Sequence, residues 1–229
     1  MKKLPLAIVT GGSSGIGKAI CRGLNQEGFY VVNADVNPPE MIINDSYVYL
    51  SCDITLPDQV QELSKLIEHF GGPDVLVLNA GQGIHEKLKE GDPEKWMEII
   101  NLNLGGSLRI IRAILPFMKQ GRVIFISSVS AEHPYSYGGI YAATKSAINT
   151  IAETLRLEES PDIGVTVISP GVVDTPFFDH MISGGHNSNE IGWGAIQPEE
   201  ISEAVTYVLK QKSSTHINNI TLRPSGQIM

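Results

Sequence analysis

The sequence predicts an α/β fold, in which a doubly wound parallel sheet of about seven strands carries helices on both faces. Short apolar runs alternate with longer amphipathic segments along the whole chain. Several apolar runs are nearly continuous, as expected for strands that are covered on both faces. Alternation of this kind indicates right-handed crossovers between parallel strands.

Seven apolar runs predict the strands, and five amphipathic segments predict the helices. In the first helix Ile20 and Leu24 recur at helical spacing, while Pro198 opens the last helix and Glu199 and Glu200 suit its first turn. The strands are expected at residues 6–10, 30–35, 47–51, 74–78, 122–127, 164–169 and 218–222. The helices are expected at about 16–27, 56–70, 93–119, 139–160 and 198–211.

Length and composition favour one domain that spans residues 1–229. The chain has 229 residues, of which 42% are hydrophobic and 18% charged, so it can bury a sizeable core. Its net charge of −8 argues against a nucleic-acid surface, which needs a basic stripe. Residues 176–197 follow a strand end and have no clean period. They are interpreted as a substrate loop, with a mobile lid as the candidate role.

The two cysteines, Cys21 and Cys52, have neither a metal-ligand nor a redox spacing. They are interpreted as buried free thiols in a reducing compartment, which predicts a cytoplasmic protein without a metal site. The apolar stretch near the N-terminus is too short for a signal peptide. No segment approaches the roughly 20 apolar residues that span a bilayer, so no membrane contact is expected.

A glycine-rich loop follows the first strand and predicts a nucleotide site. The run Thr10-Gly-Gly-Ser-Ser-Gly-Ile-Gly17 allows a tight turn, a close backbone approach to phosphate and a helix N-terminus with free N–H groups. An ordinary glycine turn is the alternative. The candidate cofactor residues in this run are Gly11, Ser13, Ser14, Gly15, Ile16 and Gly17.

Asp35 ends the second strand and bears on the choice between NAD and NADP. A carboxylate there can accept hydrogen bonds from ribose hydroxyls and repels a 2′-phosphate. No basic residue follows at once, and Ser14, which precedes Gly15, is not basic either. These features favour NAD over NADP, although a solvated carboxylate in a loop is the alternative for Asp35.

The next two strands also end in candidate cofactor residues. Asp53, followed by Ile54, is placed to receive an adenine amino group, or to cap the next helix, for which Thr55 is equally suited. After the fourth strand, the small residues Asn79-Ala80-Gly81 let the backbone pass close to a ribose. A plain strand-to-loop turn is the alternative there.

Tyr141 and Lys145 stand four residues apart in a predicted helix and therefore share one face. A nearby ammonium favours the phenolate and is expected to lower the tyrosine pKa from about 10. Such a pair is a candidate proton donor and acceptor near neutral pH. Taken alone, a solvated surface pair is the more common meaning of this spacing.

Together, the Thr-Gly-x-x-x-Gly-x-Gly loop, Asn79-Ala-Gly81 and Tyr141-x-x-x-Lys145, in this order, resemble the short-chain dehydrogenase/reductase family in its compact single-domain branch. The matching motifs extend from Thr10 to Thr175. The resemblance implies a Rossmann-type sheet of seven strands that binds NAD(P) at the carboxyl edge of the sheet.

The resemblance also implies a catalytic set. The family serine lies thirteen residues before the tyrosine, which gives Ser128, with Ser127 as its neighbour. The family asparagine lies seven residues after a tryptophan, which gives Asn103, with Asn101 as the competing choice. The implied roles assign proton transfer to Tyr141 and the tuning of its pKa to Lys145, which also binds the nicotinamide ribose.

Ser128 is implied to hold the substrate oxygen, and Asn103 a water that links Lys145 to solvent. The segment from Pro170 and Gly171 to Val173 and Thr175 matches the family segment that orients the nicotinamide carboxamide. As the alternative, Pro-Gly is a generic turn signal.

The C-terminal segment departs from the family, because it lacks the usual Asp-Gly-Gly ending. Its Arg223-Pro224 pair resembles the branch that acts on small 3-hydroxy acids. The substrate pocket is expected near loop residues that could equally be packing residues. These are His133, Tyr135, Phe177, His180 and Trp193.

The sequence as a whole predicts an NAD-dependent oxidoreductase that interconverts a small alcohol and a carbonyl compound. An NADP-dependent carbonyl reductase and a dinucleotide sensor without turnover are the alternatives. The resemblance also implies a homodimer or homotetramer that forms through the helices at 93–119 and 139–160.

Overall fold

The computed structural model describes residues 4–40, 43–184 and 192–228, and within them a seven-stranded parallel sheet. The order across the sheet is third, second, first, fourth, fifth, sixth, seventh. The predicted fold class, a doubly wound parallel sheet with helices on both faces, is confirmed. The strands are β1 (Leu6–Thr10), β2 (Tyr30–Asp35), β3 (Tyr47–Ser51), β4 (Val75–Leu78), β5 (Gly121–Ile126), β6 (Ile163–Pro170) and β7 (Asn219–Leu222).

Proline residues begin three of the six α-helices found in the described ranges, where the missing N–H group costs nothing. The last of these helices also has a capping box between Gln197 and Glu200. Among the described residues, no helix is long and apolar enough to cross a membrane. The helices are α1 (Gly15–Gln26), α2 (Pro57–Phe70), α3 (Pro93–Ile100), α4 (Ser107–Ile114), α5 (Gly139–Glu159) and α6 (Pro198–Leu209).

Apolar side chains form one packed layer on each face of the sheet. Ala7 and Val9 of β1 belong to one layer and Leu6 and Ile8 to the other, because alternate side chains of a strand point to opposite faces. Helices α1 and α6 cover the first layer, whereas α2, α4 and α5 cover the second. The carboxyl ends of the strands are left to meet along one open edge.

The predicted helix at 93–119 is interrupted in the structure. A π-helical segment, Asn101–Gly106, separates α3 from α4, and a 3-10 turn, Leu115–Phe117, ends the run. Pro116 explains the early end, because it has no N–H group to continue the helix. Gly106 lies against the loop after β3, since a Cβ there would come 2.6 Å from Ile54.

The alternative in which Asp53 or Thr55 caps α2 does not hold in the structure. Leu56 occupies the N-cap position, and its side chain accepts no hydrogen bond. Oδ1 of Asp53 accepts hydrogen bonds from the N–H group and the hydroxyl of Thr55, at 2.8 and 2.7 Å. The two residues therefore form a local turn, and Pro57 starts the helix by its preset backbone angle.

Both cysteines are buried free thiols, as predicted. Cys21 is 1% exposed and Cys52 is 2% exposed. Burial raises the pKa of both thiols, that of Cys52 to about 11.

The predicted substrate loop is described at residues 176–184 and 192–197, while residues 185–191 lie outside the described part. Its first section is attached to the loop after β4 by two backbone bonds, from Ile182 N to Gly83 O and from His85 N to Ser183 O, each 3.0 Å long. Its last section pairs Ile196 with Val173. The lid function of this loop stays a prediction.

Strands β1 and β4 lie side by side at the centre of the sheet, but their chains continue toward opposite edges. In doubly wound sheets a crevice opens beyond the carboxyl ends of such a pair. Gly17 is essential to the packing there, since a Cβ would come 2.0 Å from Gly11 O and 2.6 Å from Asn79 Nδ2.

We expect Gly17→Ala to lower the free energy of unfolding by about 1–3 kcal/mol, the usual cost of forcing extra volume into a packed site. Gly139→Ala is the matched control, because the nearest atom to its added Cβ lies 3.9 Å away. Urea denaturation of both variants measures the difference. Equal stability of the two variants would contradict the close approach at Gly17.

Candidate active site

A cleft of about 1590 Å³ runs along the carboxyl edge of the sheet. Sites for small ligands usually measure about 300–1,000 Å³, so this cleft has room for a dinucleotide and a second molecule. All the predicted cofactor residues line it. They are Gly11, Ser13, Ser14, Gly15, Ile16, Gly17, Asp35, Asp53, Ile54, Asn79, Ala80, Gly81, Tyr141, Lys145, Pro170, Gly171, Val173 and Thr175.

The glycine loop forms a tight cradle at the start of α1. Gly11 and Gly15 adopt left-handed backbone angles, with φ of 67° and 48°. Asn33, which is fully buried, accepts a hydrogen bond from Gly12 N at 2.9 Å and donates one to Ser13 Oγ at 2.9 Å. The first N–H groups of α1 have no acceptor within the helix and border the cleft. This arrangement fits a diphosphate group.

The Asp35 carboxylate is held rigidly at the end of β2. Oδ2 accepts a hydrogen bond from Ser13 N at 2.9 Å, and Oδ1 accepts one from Asn37 N at 3.0 Å. The side chain lines the cleft and is only 9% exposed, so it is not a solvated loop carboxylate. At the nearby rim, the Lys18 ammonium is paired with Glu40.

Asn79 fastens the end of β4 to the end of β1. Its Nδ2 group donates to the carbonyl oxygens of Thr10 and Gly11, at 3.0 and 2.9 Å. Thr10 Oγ1 accepts from the N–H groups of Asn79 and Ala80, both at 3.1 Å. The amide of Asn79 therefore positions the loop, and the small residues after it face the cleft.

Tyr141 and Lys145 lie one turn apart on α5 and are both buried, at 9% and 7% exposed. Lys145 Nζ donates a hydrogen bond to Ile126 O at 2.9 Å and lies 5.8 Å from the centroid of the Tyr141 ring. The alternative of a solvated surface pair is thereby excluded. Both side chains line the cleft near the carboxyl end of β5.

The expected lowering of the Tyr141 pKa is wrong for this structure. Burial raises the pKa of Tyr141, because the phenolate loses its hydration, and a hydrogen bond with Ser128 offsets this only in part. Burial also lowers the pKa of Lys145 to about 8. At neutral pH the tyrosine therefore keeps its proton while the lysine is mostly charged.

Ser128 and Ser127 point in different directions, as the sequence suggested. Ser128 Oγ lies near the Tyr141 phenol, donates a hydrogen bond to Ser130 Oγ and accepts one from Ser130 N, both at 3.1 Å. Ser127 Oγ instead donates to Asn149 Oδ1 on α5 at 2.6 Å. Ser130 was not singled out from the sequence, and its spacing two residues from Ser128 is the signal that could have identified it.

Asn103 differs from the other predicted catalytic residues, because it does not line the cleft in the described structure. Its Oδ1 accepts from Gln82 N, and its Nδ2 donates to Gln82 O and Thr144 Oγ1, at 3.0, 3.0 and 3.1 Å. It connects the loop after β4 to α5, next to Lys145. Its implied role in holding a water stays a prediction.

The segment after β6 is held by the C-terminal part of the chain. Gln227 Oε1 accepts a hydrogen bond from Val172 N at 3.1 Å. It also lies so close to Gly171 that a Cβ there would come within 2.1 Å. Gln227 was missed in the sequence, because no local pattern links it to a strand that ends 57 residues earlier.

The five loop residues expected near a substrate pocket all line the cleft, namely His133, Tyr135, Phe177, His180 and Trp193. The ring centroid of Phe177 lies 5.8 Å from that of Tyr141. This end of the cleft is therefore the candidate substrate pocket. Within the described ranges, no cluster of three or more His, Cys, Asp and Glu residues could hold a metal ion.

Comparison with solved structures gives close matches to three dehydrogenases. An alcohol dehydrogenase from the archaeon Thermococcus sibiricus, solved with 5-hydroxy-NADP, has a TM-score of 0.83 at 30% identity, over 98% of each chain. A serine dehydrogenase solved with NADP+ has a TM-score of 0.85 at 26% identity, over 95% of this chain and 94% of that one. The aldohexose dehydrogenase of Thermoplasma acidophilum has a TM-score of 0.88 at 25% identity, over 99% of this chain and 95% of that one.

Sequence comparisons agree with the structural ones. An uncharacterised oxidoreductase of Staphylococcus epidermidis is 34% identical over 232 residues, which cover 97% of this chain and 98% of the relative. One from Staphylococcus aureus is 36% identical over 230 residues, or 96% of each chain. The family model described as short chain dehydrogenase matches residues 5–184. The chain therefore belongs to the short-chain dehydrogenase family of oxidoreductases.

Proposed function

We propose that the protein is an NAD-dependent oxidoreductase that transfers a hydride between the cofactor and a small alcohol or carbonyl compound. The observation that carries this proposal is the buried group of Tyr141, Lys145 and Ser128 beside the glycine cradle, in one cleft. The proposal takes residues 1–229 as one cofactor-binding domain with a substrate loop at 176–197. The buried free cysteines favour a cytoplasmic location.

Proton transfer is assigned to Tyr141. In reduction its hydroxyl donates a proton to the carbonyl oxygen, and in oxidation its phenolate removes one from the alcohol. The Ser128 hydroxyl, which already lies at the phenol, orients the same substrate oxygen. When bound, the dinucleotide supplies or accepts the hydride.

Lys145 and Asn103 support this proton transfer. The Lys145 ammonium stabilises the negative charge that develops on the phenol oxygen, and it is within the part of the cleft where a nicotinamide ribose is expected. Asn103 fixes the loop and the helix around Lys145 through Gln82 and Thr144. A sensor without turnover has no need of this complete set of groups, so catalysis is the favoured function.

NAD is the proposed cofactor, with NADP as the second candidate. A 2′-phosphate would meet the Asp35 carboxylate, and Lys145 is the only lysine or arginine among the described residues that line the cleft. The nearby Lys18 is already paired with Glu40. The complexes of two structural neighbours with NADP forms are the reason to keep the second candidate.

A homodimer or homotetramer stays a prediction from the family resemblance. The helices that the resemblance assigns to subunit contacts carry exposed apolar side chains, which are compatible with that role. They are Met97 on α3, Leu108 on α4 and Leu157 on α5, at 60%, 41% and 66% exposed.

Tyr141→Phe is expected to lower kcat by about 10²–10⁴-fold, the usual contribution of a positioned proton donor, and to leave NADH binding unchanged. Steady-state assays with a panel of small ketones, together with NADH titration, measure both quantities. Tyr137→Phe removes a hydroxyl outside the cleft lining and serves as the control. Full activity of Tyr141→Phe would refute the mechanism.

Asp35→Asn is expected to narrow the preference for NADH over NADPH by roughly tenfold, which corresponds to about 1.4 kcal/mol. Asparagine keeps an acceptor for one of the two backbone N–H groups but removes the charge that repels a 2′-phosphate. Dissociation constants of both cofactors measure the ratio. Asp58→Asn is the control, because it removes an exposed carboxylate outside the cleft and should leave the ratio unchanged. A wild-type preference for NADPH would contradict NAD as the cofactor.

The pKa of Lys145, lowered to about 8, predicts the pH dependence of reduction. Below pH 8 the ammonium is charged and the Tyr141 phenol, with its raised pKa, is protonated, so kcat/KM for ketone reduction should be level. Above pH 8 Lys145 loses its proton and kcat/KM should fall. In Lys145→Arg the fall should move to higher pH, whereas a wild-type rate that rises through pH 8 would contradict this account.

A further inference from the structure

We propose that the substrate is an uncharged carbonyl compound, or the corresponding alcohol, that carries an apolar group about the size of an aromatic ring. The pocket discriminates against compounds with a carboxylate. This inference rests on the proposed function, because it concerns the compound that meets Tyr141. It is carried by two aromatic side chains, Phe177 and Tyr135, that line the cleft with Tyr141, and by the distribution of charge around them.

Phe177 forms the first wall of the pocket. Its ring packs on Gly83, where an added Cβ would come 2.9 Å from Cζ, and its centroid lies 5.8 Å from that of Tyr141. Met181 also lies against Gly83, at 3.2 Å from the same position. The ring is therefore held in contact with the proposed proton donor by a glycine that leaves just enough room for it.

Tyr135 forms the second wall. Its ring lies against Gly138, where a Cβ would come 2.3–2.7 Å from three ring atoms. The centroid of the Tyr135 ring lies 5.3 Å from that of the His85 ring. Its phenol is close enough to Tyr141 to contribute to the raised pKa of that residue. A second ring with a neutral hydroxyl thus lines the same cleft as Tyr141.

Apart from Lys145, the described lining of this cleft carries no lysine or arginine. The Lys145 ammonium is bonded to Ile126 O. The described parts of the substrate loop, residues 176–184 and 192–197, contain neither lysine nor arginine. Glu132, at this end of the cleft, and the net charge of −8 both disfavour an anion.

A carboxylate that enters this pocket loses hydration, and the described lining offers it no arginine and no lysine other than Lys145. Its transfer from water therefore costs free energy. Binding of an apolar ring is favourable instead, because contacts with the aromatic walls replace its contacts with water. The Arg223-Pro224 resemblance to the branch that acts on 3-hydroxy acids is not supported by the cleft, since Arg223 is not among the residues that line it.

The test compares two ligands that differ in charge but hardly in shape, 4-oxo-4-phenylbutanamide and 4-oxo-4-phenylbutanoate. Isothermal titration calorimetry of the wild-type protein saturated with NADH gives both dissociation constants. The measurement is made at pH 8. We expect the amide to bind at least tenfold more tightly than the carboxylate.

Two pairs of variants separate charge from shape. His180→Arg places a cation on an exposed position of the lining and should reduce the preference for the amide to less than threefold, whereas His180→Gln should keep it. Phe177→Ala should weaken binding of both ligands, whereas Phe177→Met should weaken it less. These variants leave Tyr141, Ser128 and Lys145 in place.

Equal or tighter binding of the carboxylate by the wild-type protein overturns the proposal, and so does the failure of both ligands to bind. A preference that is unchanged in His180→Arg also counts against it. If the amide is preferred but no NADH-dependent reduction of either ligand occurs, the proposed catalytic function fails while the inferred ligand class stands.

Discussion

The hydrogen bonds of Asn79 to Thr10 and Gly11 join the two strand ends between which the whole cleft opens. At this point β1 and β4 separate toward opposite edges of the sheet, and no ladder bond continues beyond them. The Asn79 amide replaces the missing ladder, at 2.9–3.0 Å from two carbonyl oxygens. It sets the distance between the glycine loop and the loop after β4, in which a Cβ at Gly81 would lie 3.8 Å from Lys145 Nζ. A small displacement of the Asn79 amide would therefore move the glycine loop and the loop after β4 apart and widen the cleft between them.

The polar groups of the site are supported by backbone atoms more than by one another. Lys145 bonds to Ile126 O, Asp35 to two backbone N–H groups, and Val172 N to Gln227. Backbone partners are fixed by the sheet itself, so they orient these side chains before any ligand arrives. The reacting oxygen of Tyr141, in contrast, has a side-chain partner, the Ser128 hydroxyl, which is itself hydrogen-bonded to Ser130.

Burial of Lys145 lowers the stability of the folded chain at neutral pH. Its pKa falls from 10.5 to about 8, so between these values the unfolded chain binds more protons and stability rises with pH. Above pH 10 Tyr141 acts in the opposite sense, because the folded state keeps a proton that the unfolded state releases. At neutral pH the buried site therefore lowers the free energy of unfolding, and the apolar layers on the two faces of the sheet must offset this.

The sheet and most cleft residues could be predicted because they depend on local patterns. Apolar runs, glycines at fixed spacing and Pro198 each determine the structure of only the few residues around them. The missed features depend on distant partners or on competing terms. The π-helical segment that carries Asn103, the bond from Gln227 to Val172 and the dominance of burial over charge at Tyr141 are examples. The spacing of Tyr141 and Lys145 shows that they meet, but burial decides which of them holds the proton.

The two buried thiols have a practical consequence for following the folding of this protein. Cys21 and Cys52 are its only cysteines, each almost inaccessible and each with a raised pKa, so little thiolate is available in the native state. Alkylating reagents then react mainly with chains that have opened. Cys21 packs beneath the glycine loop on α1, and Cys52 directly follows β3, so mass-resolved labelling of each site would report separately on opening of the two sides of the sheet.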